Sequence, residues 1–206
     1  MANKTQKIRT IYKVAAFLAF IMLSYLGIRS YRHSVEKLKI NACIEEVNEL
    51  VGNIQRAYER QFSYKDLDYN TAVTLNLIPQ RMFKPGYSDA INSFIGGVDM
   101  FYSSWEKIDD DKAFEVSFQG VSSEACKELM KIQWDAGLNT DFIAVGGYTN
   151  PTPSGVLDEI LVNMKQEDIK SGNIFKGTDV RFASADKLER ACDCKDRTCS
   201  VVWKFH

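Results

Sequence analysis

The sequence predicts an α+β protein in which one long N-terminal helix carries a small head of short strands and helices. Three observations predict it. A helical pattern runs from residue 8 to 62, and no proline interrupts it, the first being Pro79. After residue 62 the pattern changes to short segments of period two, separated by Gly and Asp turns. A capped amphipathic segment follows Ser122, and a cysteine cluster (Cys192, Cys194, Cys199) precedes an apolar C-terminal strand.

The helix begins in a cationic, apolar stretch. Lys4, Lys7, Arg9 and Lys13 precede the run Val14–Ile28, fifteen residues without a charge, and the first acidic residue is Glu36. That run is shorter than the roughly 20 residues of a typical membrane-spanning helix. Basic residues on both sides argue against a buried core helix. Arg29-Ser30-Tyr31-Arg32 stands where a signal peptide would end in small residues. The expectation is therefore an uncleaved anchor, its span extended by snorkelling of Lys13, Arg29 and Arg32, with Tyr12, Tyr25 and Tyr31 near the interfaces. Charge orients it weakly, N-terminus inward, because Arg29, Arg32, Lys37 and Lys39 lie on the far side. Ala15, Ala16, Ala19 and Ser24 are small enough for helices to approach closely, with Phe20 and Leu23 beside them.

The second half of the helix is amphipathic. Ile40, Ile44, Val47, Val51, Ile54 and Tyr58 form one stripe, widened by Cys43, Leu50 and Ala57. Glu45, Glu46, Glu49, Gln55, Arg56 and Glu59 take the other faces. Gly52 costs about 1 kcal/mol relative to Ala, which that stripe tolerates. A continuous helix over 8–62 would be about 80 Å long at 1.5 Å per residue. A break near Gly27–Arg32 into two helices is the alternative. The expected organisation is a basic N-terminus with a transmembrane segment over 1–33, the amphipathic half-helix over 34–62, and a head over 63–206.

In the head, residues 63–74 read as a loop with a short helix that ends before Leu77-Ile78-Pro79. Pro85-Gly86 and Gly96-Gly97 signal turns, and Val98–Tyr102 reads as a strand. Asp109-Asp110-Asp111 reads as solvated punctuation, since a calcium loop needs alternating ligands and a distal Glu. Phe114, Val116 and Phe118 alternate with Glu115, Ser117 and Gln119, which predicts a half-buried strand. Ser122 or Ser123 caps a helix with Glu124 in its first turn, running to about Trp134 and ending near Gly137. Asp141–Val145 reads as a strand ending before Gly146-Gly147. Residues 150–182 are the least legible: a stiff loop at Pro151 and Pro153, strand or short helix over Val156–Met164, and a strand at Val180–Phe182. A short helix capped by Ser184 runs through Ala191, and Ser200–His206 closes the chain with Val201, Trp203 and Phe205 on one face.

The 26 basic and 27 acidic residues nearly cancel, so charge gives no support for nucleic-acid binding. With 45% apolar and 26% charged residues the chain has the composition of a folded domain. Enzyme chemistry finds no purchase. The two histidines are His33 and His206, and no phosphate loop, dinucleotide fingerprint, nucleophile elbow or zinc-protease motif occurs. Cys126 has no evident histidine to activate it. No cofactor is expected. A metal site at Cys192, Cys194, Cys199 and His206 lacks the usual paired-cysteine spacing. Cys126, Cys192, Cys194 and Cys199 could instead make two bridges in an oxidising compartment.

Several stretches resemble the PilS-like branch of the type IVb pilins. Leu77-Ile78-Pro79-Gln80-Arg81-Met82 and Phe94-Ile95-Gly96-Gly97-Val98 are similar to that family's loop leading into the first strand. Phe114 through Gly120, then Val121-Ser122-Ser123-Glu124-Ala125-Cys126-Lys127-Glu128-Leu129, resembles its strand, turn and cysteine-bearing helix. Trp134-Asp135-Ala136-Gly137, Phe142-Ile143-Ala144-Val145, Ala191-Cys192 and Val202-Trp203-Lys204-Phe205 continue the resemblance. It covers most of the chain except residues 150–182.

The resemblance implies the type IV pilin fold, a long helix packed on an antiparallel sheet, in a filament subunit whose N-terminal helix packs among other pilin-like subunits and whose head is displayed outside. It implies partners in the inner membrane and in pilus or secretion assembly machinery. The location follows: inner membrane with a periplasmic head, or extracellular within a pilus. It also implies a staple from Cys126 to Cys192 or Cys194; if Cys192 is taken, Cys194 and Cys199 can pair locally, leaving Cys43 free. The N-terminus departs from the family. Its precursors end a leader in glycine and carry a glutamate shortly after, whereas here the first glycine is Gly27 and no acid interrupts the apolar run. A divergent, uncleaved N-terminus is expected, and with it three roles: a filament subunit, a single-pass periplasmic binding module that keeps a pilin-like head, or an accessory subunit that primes or terminates filaments.

Overall fold

The structure, a computed structural model, describes residues 2–61, 63–103, 111–132, 134, 142–149, 174–176, 185–194 and 198–206. It divides into two compact units, Met1–Lys39 and Ile40–His206. Helix α1 (Ala2–Tyr58) is continuous, so the alternative of two helices broken near Gly27–Arg32 does not hold. Neither Gly27 nor Gly52 is crowded by a neighbouring atom, and each is carried within the helix.

The larger unit is an antiparallel sheet backed by the second half of α1. In chain order its elements are α2 (Tyr69–Thr74), a 3-10 turn (Gln80–Met82), β1 (Val98–Ser103), β2 (Ala113–Val121), α3 (Ser123–Lys131), β3 (Phe142–Thr149), β4 (Ile174–Lys176), α4 (Ala185–Ala191) and β5 (Cys199–Phe205). Among the described residues the sheet has five strands in the order β1-β2-β5-β3-β4. The C-terminal strand is thus central, pairing with β2 on one side and β3 on the other.

Local chemistry sets the element ends. Asp68 Oδ1 accepts from Thr71 N at 2.6 Å and caps α2. That helix closes with Asn76 at φ 53, Leu77 N on Ala72 O (2.8 Å) and Asn76 N on Val73 O (3.1 Å), the Schellman arrangement that satisfies its last carbonyls. Of the two candidate serines, Ser122 caps α3 through Ala125 N at 3.1 Å. α3 stops at Lys131 rather than Trp134, because Trp134 turns inward: its Nε1 donates to Leu129 O at 3.1 Å and its ring meets Trp203 edge-on at 5.3 Å. Asp109, Asp110, Gly137, Val156–Met164, Val180–Phe182 and Ser184 lie outside the described residues.

The apolar stripe of α1 is buried against the sheet through Cys43, Val47, Leu50, Val51, Ile54 and Tyr58, with Ile40 and Ile44 at its margin. Phe114, Val116 and Phe118 meet it from β2, and Val201, Trp203 and Phe205 from β5. Aromatic contacts run Tyr58–Tyr64–Phe114–Phe205 at 5.2, 4.8 and 5.6 Å between ring centres. Ala57, assigned to the stripe, is exposed.

Three expectations are corrected. β2 is not half-buried, because Glu115 and Ser117 are buried as well. Alternation separates an apolar from a polar face but leaves open whether the polar face is covered. Here Glu115 faces Lys204 at 3.8 Å, both fully buried, and Ser103 Oγ donates to Glu115 Oε1 at 3.1 Å. Second, β3 runs through Gly146-Gly147 instead of ending at Val145. A Cβ on Gly147 would lie 2.8 Å from Ala191 O and 3.0 Å from Cys126 Sγ, so this glycine marks a close approach inside the strand. Third, Glu46 is buried although its place on the helix suggested a solvated face.

Candidate assembly surface and stapled head

The two halves of α1 differ in what their side chains touch. Over residues 17–31 every described side chain is exposed, including Phe17, Leu18, Phe20 (68%), Ile21, Met22, Leu23 (69%), Tyr25, Leu26, Ile28 and Tyr31. Ala19 is exposed among them; the side chains of Ala15 and Ala16 lie outside the described residues. So many neighbouring exposed apolar side chains are unusual on a soluble monomer. Among the described residues no helix is long and apolar enough to cross a membrane. The apolar run itself is bounded by Lys13 and Arg29.

From Glu45 onward the helix holds its own head through polar contacts. Arg81 reaches Glu45 at 3.5 Å and Glu49 at 2.8 Å. Asn53 Nδ2 donates to Leu77 O at 2.7 Å, and Gln55 Nε2 to His206 O at 3.2 Å. The buried Glu46 carboxylate accepts from Ser93 N (2.9 Å) and Ser93 Oγ (2.6 Å). Those donors satisfy a group that would otherwise be costly to bury.

Ser93 belongs to a tightly specified turn. Asn92 is fully buried; its Oδ1 accepts from Phe94 N (2.8 Å) and Gly96 N (3.2 Å), and its Nδ2 donates to Gln119 O (2.7 Å) and Gly97 O (3.1 Å). A Cβ at Gly96 would sit 1.7 Å from Gln119 O, so only glycine fits. The turn holds Ile95 at φ 65, a strained conformation for a β-branched residue, with its side chain 58% exposed. Sequence reasoning saw the Gly-Gly signal but missed Asn92, Ser93 and Glu46. An Asn two residues before a turn amide is the Asx-turn signal that could have pointed to the first.

Cys126 is bonded to Cys192, and Cys194 to Cys199, with sequence separations of 66 and 5. The first bond ties α3 to the end of α4; the second ties Cys194 to the first residue of β5. Met130 Sδ packs 3.4 Å from Cys192 Sγ, Ser123 Oγ donates to Cys192 O at 2.5 Å, and Lys127 pairs with Glu189 across the same two helices. With Cys192, Cys194 and Cys199 in disulfides, their thiolates are not free to ligate a metal. Cys43 is free and buried; desolvation first, and the Glu46 charge second, push its thiol well above the usual value.

The sheet's β1 edge is guarded. Met100 N is bonded to Asp99 Oδ1 at 2.9 Å and Tyr102 N to Leu67 O at 3.1 Å, so these amides are engaged within the chain. Partial burial, and secondarily Asp68, raise the Asp99 carboxyl above its usual value although the Met100 amide opposes this. Among the head's tyrosines, Tyr148 is buried and Tyr69 accepts from Ala90 N at 2.7 Å. Tyr87 and Tyr102 remain about half exposed.

A family model described as PilS N terminal matches residues 37–170. Among solved structures, the type IV pilin TcpA of Vibrio cholerae El Tor biotype superposes with a TM-score of 0.53 and 15% sequence identity. The match covers 81% of this chain and 98% of that one. At that identity the likeness concerns the fold, a long N-terminal helix packed on an antiparallel sheet. A comparison with curated protein sequences finds no match.

Proposed function

We propose, since this chain belongs to the PilS N-terminal family, that it is a structural pilin-like subunit of a type IV pilus or a related secretion filament. The observation that carries this reading is the exposed apolar surface of α1 over residues 17–31. Such a surface needs lipid or other helices around it. In lipid, helices associate by packing rather than by apolar burial, and small residues permit the close approach. Ala15, Ala16 and Ala19, with Phe20 and Leu23, are the residues assigned to that packing.

On this reading residues 1–33 are the membrane and assembly segment, 34–62 the half-helix that carries the head, and 63–206 the stapled head. Before assembly the chain sits in the inner membrane with its head in the periplasm, and afterwards in a filament outside the cell. The partners are other pilin-like subunits and the assembly machinery, and the role is structural rather than enzymatic. An Ala19→Lys variant tests it. The expected result is loss of filaments with an unchanged melting temperature of the head; normal filaments from this variant would refute the packing.

A further inference from the structure

The helix stretch just beyond the apolar run is cationic. Residues 29–39 carry Arg29, Arg32, Lys37 and Lys39 against one acid, Glu36, a net charge of +3 with His33 neutral. Arg29, Arg32, His33 and Lys37 are exposed. At 100° per residue these side chains fall within roughly half of the helix circumference, and Glu36 shares that face. Tyr25 (64% exposed) and Tyr31 (71% exposed) bracket the start of the stretch.

The length of the apolar run gives these charges a partner. Val14–Ile28 spans about 22 Å at 1.5 Å per residue, against roughly 30 Å of hydrocarbon in a bilayer. A short run is accommodated by local thinning and by snorkelling of its flanking residues. Both effects bring lipid phosphates to Arg29 and Arg32. Arginine forks match phosphate oxygens, and tyrosine favours the same headgroup depth. An acidic protein partner would account for the charges but not for their continuity with an apolar surface and interfacial tyrosines.

Resting on the membrane reading above, we infer that Arg29, Arg32 and Lys37 form a docking collar for the phosphates of anionic phospholipids on the head side of the apolar segment. The collar selects the lipids around the subunit.

The full chain reconstituted in phosphatidylcholine vesicles tests this with trace spin-labelled phosphatidylglycerol or phosphatidylcholine. The measured quantity is the motionally restricted fraction of each label. The expected result is a preference of about fivefold or more for the anionic label, since each cation near a headgroup supplies about that factor. Added salt and the triple variant Arg29→Gln/Arg32→Gln/Lys37→Gln remove the preference while a restricted fraction of both labels persists. Equal restriction of the two labels by the unmodified chain overturns the collar and leaves the membrane reading standing. No restricted fraction for either label overturns the membrane reading and the collar with it.

Discussion

Residues 17–31 and 43–58 belong to the same helix, yet Phe20 and Leu23 are exposed while Val47, Leu50 and Ile54 are fully buried. The difference lies in the polar complement. The second stretch interleaves its stripe with Glu45, Glu46, Glu49, Asn53 and Gln55, and four of these hold the head in register through Arg81, Ser93 and Leu77 O. The fifth, Gln55, ties down the C-terminal carbonyl. The first stretch has no acid or amide side chain, and every one of its side chains is exposed. One half of α1 is a component of a domain core, and the other is an exposed apolar surface.

The largest test of that contrast removes the head's long staple. Cys126→Ala/Cys192→Ala opens a bridge of sequence separation 66, for an expected loss of about 4 kcal/mol by the chain-entropy relation. For a unit of this size that lowers the melting temperature by roughly 8–16 °C. Leu50→Ala comes next, at about 3 kcal/mol, because it leaves a cavity between α1 and the sheet. The short bridge should matter less: Cys194→Ala/Cys199→Ala is expected to cost about 2 kcal/mol. Equal losses for the two bridge variants would argue that strain or packing, rather than loop closure, dominates.

Smaller effects sharpen the picture. Asp68→Ala removes the α2 cap and should cost about 1 kcal/mol at pH 7. The Thr71 backbone amide holds the Asp68 carboxyl below its usual value, so its contribution is present above the unfolded carboxylate pKa and is lost as pH falls through the folded one. The cost of Asp68→Ala should therefore shrink in urea titrations run below about pH 4. Asp99 has the opposite sign. Its raised pKa means that ionisation weighs against the fold above that pKa, and that this disadvantage fades in acid. Asp99→Asn keeps an acceptor for Met100 N and should leave stability within about 0.5 kcal/mol or raise it. Asp99→Ala frees the edge amide, and sedimentation should then show association through β1. Smallest of all, Leu23→Ala should shift the head's stability by less than about 0.5 kcal/mol, against the large loss for Leu50→Ala.

Much of the fold was legible because period and capping are local signals. The stripe from Val47 to Tyr58, a cap at Ser122 or Ser123 and the alternation of Phe114, Val116 and Phe118 each follow from the residues themselves. What escaped depends on distant contacts. Trp134 leaves its helix because Trp203 lies across the core. The glycine pair in β3 looks like a turn until Cys126 and Ala191 are placed against Gly147. Burial of Glu46 and Glu115 could not be read from their positions, since each depends on a partner far along the chain, Ser93 or Lys204. For the candidate surface, Ala19, Phe20 and Leu23 stood out in the sequence because an uncharged run flanked by cations is unusual. Of the Asn92–Gly97 turn only the Gly96-Gly97 signal was read, because its anchoring to Gln119 O and to Glu46 depends on residues far along the chain.

The most direct measurement is the intact mass and abundance of the native protein in sheared surface filaments, taken beside the membrane fraction of the same cells. The account predicts that the chain is a stoichiometric component of the filament fraction. A chain confined to the membrane fraction would contradict it and identify an anchored, pilin-like head that binds partners without polymerising.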